Sequence, residues 1–449
     1  MSKLAFILFR SHPRFPISLG RRLFDRCAEE VYTAALKRTQ YAPLALLQRL
    51  QLMRLQELIC HTYHTVPFWR EYLGRYGIQP PWPGSFEEFL HLPPVEKAEY
   101  RDHSSEYYAS RSVPKSERVV RTTSGTDGIP LTIVLDMNMF PRRRATYRRH
   151  LEWVGRKSGD QVIRILPYEY SELQPHGTFF LCKGIEDLTE NRHRLYSVLE
   201  EKTSIIHSYL STLLQLARLM DSDGKIFQIR AAITHAEQIS PEIRAYIERV
   251  FRAPVFDYYA CNEVHAVAQE CKTREGLHIN TENVFVEILN KDGKSVGDGE
   301  VGDVVLTGFD NIAMPFIRYR VGDRARFLAE PCSCGVILPR IFIEGRAVST
   351  FPLPNGRTGH LFELFKPIYK RIPKIFQYQI IQVQLNKFRI KIVPTSFLVS
   401  DDEREIVEEL KQYLGDSVIL ESELVERIEI VRGKERVFIP LVISSSFLQ

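Results

Sequence analysis

Residues 231–263 read AAITHAEQISPEIRAYIERVFRAPVFDYYACNE, and the change of pattern within them decides the fold. Residues 231–234 form a short apolar run of strand length, 241–251 a helical segment, and 255–258 a second strand-like run. The same beat precedes them, with strands at 162–166 and 179–182 and a helix at 209–220. Strands alternating with helices predict a parallel or mixed α/β sheet. The stretch also ends on chemistry. Tyr258, Tyr259, Asn262 and Glu263 gather aromatic, polar and acidic side chains at a strand end, where a base can stack and a Mg²⁺–phosphate can sit. An ordinary acidic strand end has the same composition, and both readings stand.

Toward the C-terminus, strands and turns replace helices from Leu277 onward (284–289, 291–294, 304–307), which predicts a β-rich lobe. Arg318-Tyr-Arg-Val-Gly-Asp323 follows an apolar strand. Its Arg-x-Gly-Asp ending predicts a tight turn; there the Asp323 carboxylate can accept two hydrogen bonds from a diol such as a ribose, or the segment is a turn and nothing more. Beyond Arg346 comes a Pro/Gly-rich stretch at 351–357. Strands at 378–383 and 387–393, a helix at 402–414 and a strand at 428–431 then predict a small α/β domain. The expected division is a large domain, 1–346, and a small one, 347–449.

Toward the N-terminus, 119–123 and 131–135 read as the strands of a hairpin. Between them, Thr123-Ser-Gly-Thr-Asp-Gly128 is rich in hydroxyls and glycines. Such a loop can wrap a phosphate with backbone N–H groups and hydroxyls, or simply close the hairpin. It has no Gly-Lys-Ser/Thr ending and no helix after it, so it is not a Walker loop. A helix over 138–155 carries Arg142, Arg143, Arg144, Arg148 and Arg149; it reads as a solvated face, or as a dock for a phosphate-bearing partner such as coenzyme A or a carrier protein. Leucines at helical spacing mark a long helix over 44–64. The arginines and aromatics of residues 1–40 suit a helix packed on the body of the protein, with a helix lying on a membrane surface as the alternative.

A chain of 449 residues is too long for one core. A formal charge of +5 and 26% charged residues argue against a nucleic-acid surface, since no basic-aromatic stripe accompanies them. No apolar run approaches the length of a membrane helix. Seven irregularly spaced cysteines do not form a disulfide framework, which places the expected setting in the cytoplasm. Four residues stand apart. Cys271, His278, Cys332 and Cys334 supply three thiols and an imidazole, the donor set of a closed tetrahedral structural zinc site; buried free thiols are the alternative.

Taken in order, the segments resemble the phenylacetate–coenzyme A ligase family of adenylate-forming enzymes, in its CapK-like, capsular-polysaccharide-biosynthesis subgroup. The resemblance spans roughly residues 45–440. It rests on Gln48-x-x-Gln51-x-x-Arg54, Val66-Pro-Phe-Trp69, Leu92-Pro-x-x-x-Lys97, Thr123-Ser-Gly-Thr-Asp-Gly-Ile-Pro130, Ala236-Glu237, Tyr259-Ala-Cys-Asn-Glu263, Glu270-Cys271 with Gly276-Leu-His-Ile279, and Ala313-Met-Pro-Phe-Ile-Arg-Tyr-Arg-Val-Gly-Asp323. It implies a large multi-subdomain α/β domain with a β-rich lobe and a small mobile α/β domain. It also implies that a carboxylic acid is activated on Mg²⁺-ATP to an acyl-adenylate and passed to coenzyme A, an amine, a sugar or a carrier protein. On this resemblance Thr123, Ser124, Gly125, Thr126 and Gly128 would hold the phosphates, with Glu237 and Asn262 also at the nucleotide. Glu263 would bind Mg²⁺, Tyr259 would lie near adenine, Asp323 would take the ribose, Arg346 would sit at the hinge, and Lys434 would bridge carboxylate and α-phosphate. Departures from the family pattern are Asp127 in place of a hydroxyl, Ala260 for glycine, Asn262 for threonine, and no aspartate after Arg346. They leave a second reading open, a non-catalytic, zinc-containing scaffold in a biosynthetic complex.

Overall fold

The computed structural model describes residues 20–122, 131–166, 178–181, 185–346, 350–395, 398–428, 430–431, 434–435 and 437–440. The chain is mixed α/β and forms two compact units. The first comprises residues up to 158, 170–176 and 256–345; the second comprises 159–169, 177–255 and 346–449.

In the first unit the strands run side by side in the order Val284–Leu289, Gly302–Gly308, Tyr319–Leu328, Arg340–Arg346, Leu277–Ile279, His265–Glu270 and Val255–Cys261. Leu55, Trp69, Val267, Leu306 and Phe316 belong to the core beneath them. The Gln51 and Arg54 positions prove structural. From the Leu44–Thr65 helix, Gln51 Nε2 donates to the carbonyls of Thr281 (3.0 Å) and Val284 (3.2 Å), and Arg54 donates to Phe309 O and Asp310 Oδ1. The Arg118–Thr122 and Thr132–Asp136 strands form the expected hairpin, paired from Arg118↔Asp136 to Thr122↔Thr132.

The arginine-rich helix, Phe140–Trp153, is not a solvated face. Arg142, Arg144 and Arg149 are buried, each against a carboxylate: Asp310 (3.3 Å), Glu29 (2.8 Å) and Glu282 (2.8 Å) respectively. The physical reason is desolvation. A buried guanidinium is tolerable only with a paired, hydrogen-bonded anion, and here each has one. The same helix packs on Gly20–Thr39 through Tyr32, Leu36 and Ala145, as the N-terminal reading expected for that part. Removing Arg149 would leave Glu282 charged at 0% exposure. Arg149→Met is therefore expected to cost about 3–5 kcal/mol in urea unfolding, with the double change Arg149→Met/Glu282→Leu recovering part of it.

In the second unit Thr178–Leu181, Gln161–Leu166, Ser204–Tyr209 and Ile229–His235 are parallel neighbours, as alternation with helices predicts. Leu210–Ser222 and Pro241–Phe251 bury Leu213, Leu216, Ile243 and Ile247 against Ile163, Ile165, Ile206 and Ala232. The latter helix begins where the sequence says it must, with the Ser240 hydroxyl accepting from Ile243 N (3.2 Å) and Pro241 in its first turn. A second sheet in this unit orders Ile419–Leu424, Lys387–Pro394, Ile375–Gln384 and Phe438–Ile439, with Ser400–Leu414 packed through Ile406 and Leu410. Arg218, on the Leu210–Ser222 helix, donates to the carbonyls of Phe376 and Ile372, and Ile372 packs into that helix layer. Of the strand expected over 428–431, Ile430–Val431 is described; it pairs with Lys434–Glu435. Among the described residues no helix is long and apolar enough to cross a membrane.

Candidate active site

Glu263 lies in the connection of residues 262–264 between Val255–Cys261 and His265–Glu270, where Cys261 pairs with His265. His265 takes φ 65°, the left-handed residue that lets so short a hairpin close. Glu263 is 9% exposed, and its Oε1 accepts from the Tyr319 hydroxyl at 3.0 Å. Burial, followed by the charge of Glu263, pushes the Tyr319 phenol well up, so that hydroxyl remains a proton donor. Burial and Glu263 likewise push up the Cys261 thiol, which is thereby an inert neighbour.

Asp323 is not on a tight turn. It lies within the Tyr319–Leu328 strand. Along that strand the pairing shifts: Val305 faces Arg320 and Asp303 faces Arg324, so three residues oppose the single Val304. Gly322, at φ 83°, absorbs the distortion. The bulge aims the next side chain, and Asp323 Oδ2 accepts from the Tyr259 hydroxyl at 2.7 Å. Residues 319 and 323 of one strand thus meet residues 263 and 259 of another segment. Sequence reading missed Tyr319; its place four residues from Asp323 on one strand was the available signal.

The other candidates divide. Asn262 is exposed beside Glu263. Glu237 accepts from Ser211 N (2.7 Å) and Ser211 Oγ (3.0 Å), at the start of the Leu210–Ser222 helix. Its carboxylate caps orphan donors there and favours the helix dipole. Thr123, Ser124, Gly125, Thr126, Asp127 and Gly128 lie outside the described residues, as do the side chains of Arg346 and Lys434.

A Cβ placed on Gly308 would stand 2.7 Å from Val264 Cγ1 and 3.1 Å from its Cβ, one residue from Glu263. Gly308→Ala is expected to cost about 1–3 kcal/mol in urea unfolding, as overpacking does.

The four predicted metal ligands converge. The donor atoms of Cys271, His278, Cys332 and Cys334 all lie within 4.8 Å of one another. Cys271 Sγ and Cys332 Sγ are 3.6 Å apart, and Cys334 Sγ is 3.4 Å from His278 Nε2. Ligands bonded at ~2.3 Å around a tetrahedral centre stand about 3.8 Å apart, so the set fits a zinc ion and is far too open for a disulfide. His278 Nδ1 is 3.0 Å from Leu338 O, which turns Nε2 inward, and Val336 N donates to Cys334 Sγ at 3.3 Å. Burial lowers His278 to about 4, holding the imidazole neutral as a ligand must be.

Residues 358–439 match the CapK C-terminal domain family. The chain is 27% identical over 308 residues to a phenylacetate–coenzyme A ligase of Thermus thermophilus, covering 65% of this chain and 68% of that one. It is 28% identical over 347 residues to the Escherichia coli phenylacetate–coenzyme A ligase, covering 72% and 78%. In three dimensions it is similar to 2-hydroxyisobutyryl-CoA ligase in a postadenylation state, with a TM-score of 0.76 and 19% identity over 90% of this chain and 91% of that one. That likeness establishes the fold.

Proposed function

Given that the chain is a phenylacetate–coenzyme A ligase-like member of the adenylate-forming fold with a CapK C-terminal domain, we propose that it is an AMP-forming acid ligase. A carboxylate oxygen of the acid attacks the α-phosphorus of ATP, pyrophosphate leaves, and the acyl group then passes from AMP to an acceptor. Coenzyme A is the favoured acceptor, in line with the relatives' names; an amine, a sugar or a carrier protein are the others.

The observation that carries this reading is the paired contact of Tyr259 with Asp323 and of Glu263 with Tyr319. The strand Val255–Cys261 with the connection after it, and the strand Tyr319–Leu328, thereby present an aromatic face, a carboxylate suited to a vicinal diol, and a second carboxylate suited to one Mg²⁺ ligand position. Those are the needs of base, ribose and metal-bound phosphate. Glu263 suits Mg²⁺ because its oxygens are hard donors and the Tyr319 hydroxyl helps to set its orientation. Lys434 would bring its ammonium to the α-phosphate, and Thr123, Ser124, Gly125, Thr126 and Gly128 would hold the β- and γ-phosphates. Catalysis of this kind is positioning and charge neutralisation. A small C-terminal domain, 347–449, would deliver Lys434 for the first half-reaction and withdraw it for the second. Cys271, His278, Cys332 and Cys334 would hold a structural zinc, with no open position and no part in the chemistry.

Pyrophosphate–ATP exchange with pooled carboxylic acids tests the proposal. The expected result is acid-dependent exchange that falls by roughly 10²–10³-fold in Lys434→Ala. No exchange with any pool, together with no Mg²⁺-ATP binding by calorimetry, would instead support the scaffold reading.

A further inference from the structure

One residue before Tyr319, in the first unit, the backbone takes a conformation that a residue with a side chain rarely adopts. Arg318 has φ 44°, in the left-handed region. Such a residue persists only where its surroundings over-determine it, and here they do. Its N–H donates to the Thr307 hydroxyl at 2.9 Å. Its carbonyl accepts from Val95 N at 2.8 Å, and Arg320 N donates to Val95 O at 3.0 Å, so Val95 brackets Tyr319. The guanidinium, 2% exposed, grips the Glu287 carboxylate through two bonds, at 3.1 and 2.7 Å. It also donates to the carbonyls of Leu90 and Leu92.

Stability alone is a poor account of this arrangement. A strand can begin without a left-handed residue, and a buried ion pair carries a desolvation penalty that its own attraction scarcely repays. The consequence falls on the next residue. The rotation at 318 sets the direction in which the Tyr319 side chain leaves the backbone, and that side chain donates to Glu263 at 3.0 Å. The rings of Phe316 and Tyr100 stand edge-on to the Tyr319 ring, with centroids 5.0 and 5.6 Å away, and confine it sideways. Its anchor on the backbone is what Arg318 supplies. The Leu92-Pro-x-x-x-Lys97 motif finds a use here, since Leu92 and Val95 hold that anchor from a separate segment.

Resting on the ligase reading above, we propose that Arg318 is a positioning residue for Glu263, acting through Tyr319 to aim the carboxylate at the metal of Mg²⁺-ATP. The test is calorimetric binding of MgATP, and of ATP in EDTA, to the full chain without acid, with pyrophosphate–ATP exchange and thermal unfolding alongside. Arg318→Lys keeps the charge and loses the two-pronged grip. It is expected to weaken MgATP binding by about 10-fold, as the loss of an outer-shell partner of a metal ligand does, and to raise the KM for MgATP alike. Metal-free ATP should bind as it does to the wild type. Thr307→Val, which removes only the acceptor of the Arg318 N–H, is expected to act in the same direction, and it carries the test if Arg318→Lys does not fold. In a Tyr319→Phe background neither change is expected to weaken MgATP binding further, because the route to Glu263 is already cut. Folded variants that bind MgATP as tightly as the wild type overturn the proposal and leave the ligase reading intact. So does a loss that is equal for metal-free ATP, or one that multiplies with Tyr319→Phe, since either marks a structural role. A wild type that neither binds MgATP nor exchanges with any acid removes the ligase reading, and this inference with it.

Discussion

Wild-type protein is expected to carry about one equivalent of zinc, and Cys332→Ala is expected to purify without it and to unfold at a markedly lower temperature. In the unfolded chain Cys271 and Cys332 are 61 positions apart. Metal binding then counts as folding free energy, because the site does not exist before the lobe folds. Zinc-finger peptides derive ~10–16 kcal/mol from such a site at neutral pH. This lobe has an apolar core of its own, including Leu277, Ile279 and Ile341, so its dependence should be smaller but still more than ~3 kcal/mol. Elemental analysis of protein purified without chelator, followed by thermal unfolding of wild type and variant, decides the matter. Less than about half an equivalent in the wild type would falsify the four-ligand site.

Glu263→Gln is expected to lower acid-dependent pyrophosphate exchange by roughly 10²–10³-fold with little effect on unfolding, the size of effect seen when one preorganised electrostatic contact is removed. The amide keeps the size of the side chain and an oxygen that can accept from the Tyr319 hydroxyl, so the fold loses little. What disappears is the negative charge toward a cation. Tyr319→Phe separates orientation from charge: it keeps the carboxylate but removes the hydroxyl that fixes it at 3.0 Å. A smaller loss, confined to the KM for MgATP, is expected there. If Glu263→Gln exchanges as fast as wild type, the carboxylate is not the metal ligand, and the proposed division of roles fails.

Much of this architecture was legible in the sequence because local patterning sets it. The 241–251 helix, the hairpin around the glycine-rich loop and the strands of the C-terminal sheet follow from periodicity, caps and turn residues. The metal tetrad was legible for a chemical reason: few arrangements use three thiols and an imidazole. What could not be read is pairing between distant residues. The arginines of Phe140–Trp153 look like a solvated stripe until Glu29, Glu282 and Asp310 arrive from 115, 133 and 168 positions away. Asp323 was misplaced for a related reason. Gly-Asp is ordinarily a turn signal, and only the longer reach of one strand opposite Val304 converts it into a bulge.

The Arg218 contacts bear on how the C-terminal sheet can move. Its two donors grip the carbonyls of Ile372 and Phe376, at and just before the start of the strand Ile375–Gln384. Any second position for that strand would first have to open this catch and draw Ile372 out of the helix layer. The guanidinium holds backbone rather than side chains, so drift in the residues it grips would leave the catch intact. It is a fastening set by position in the chain, and one arginine decides whether it holds.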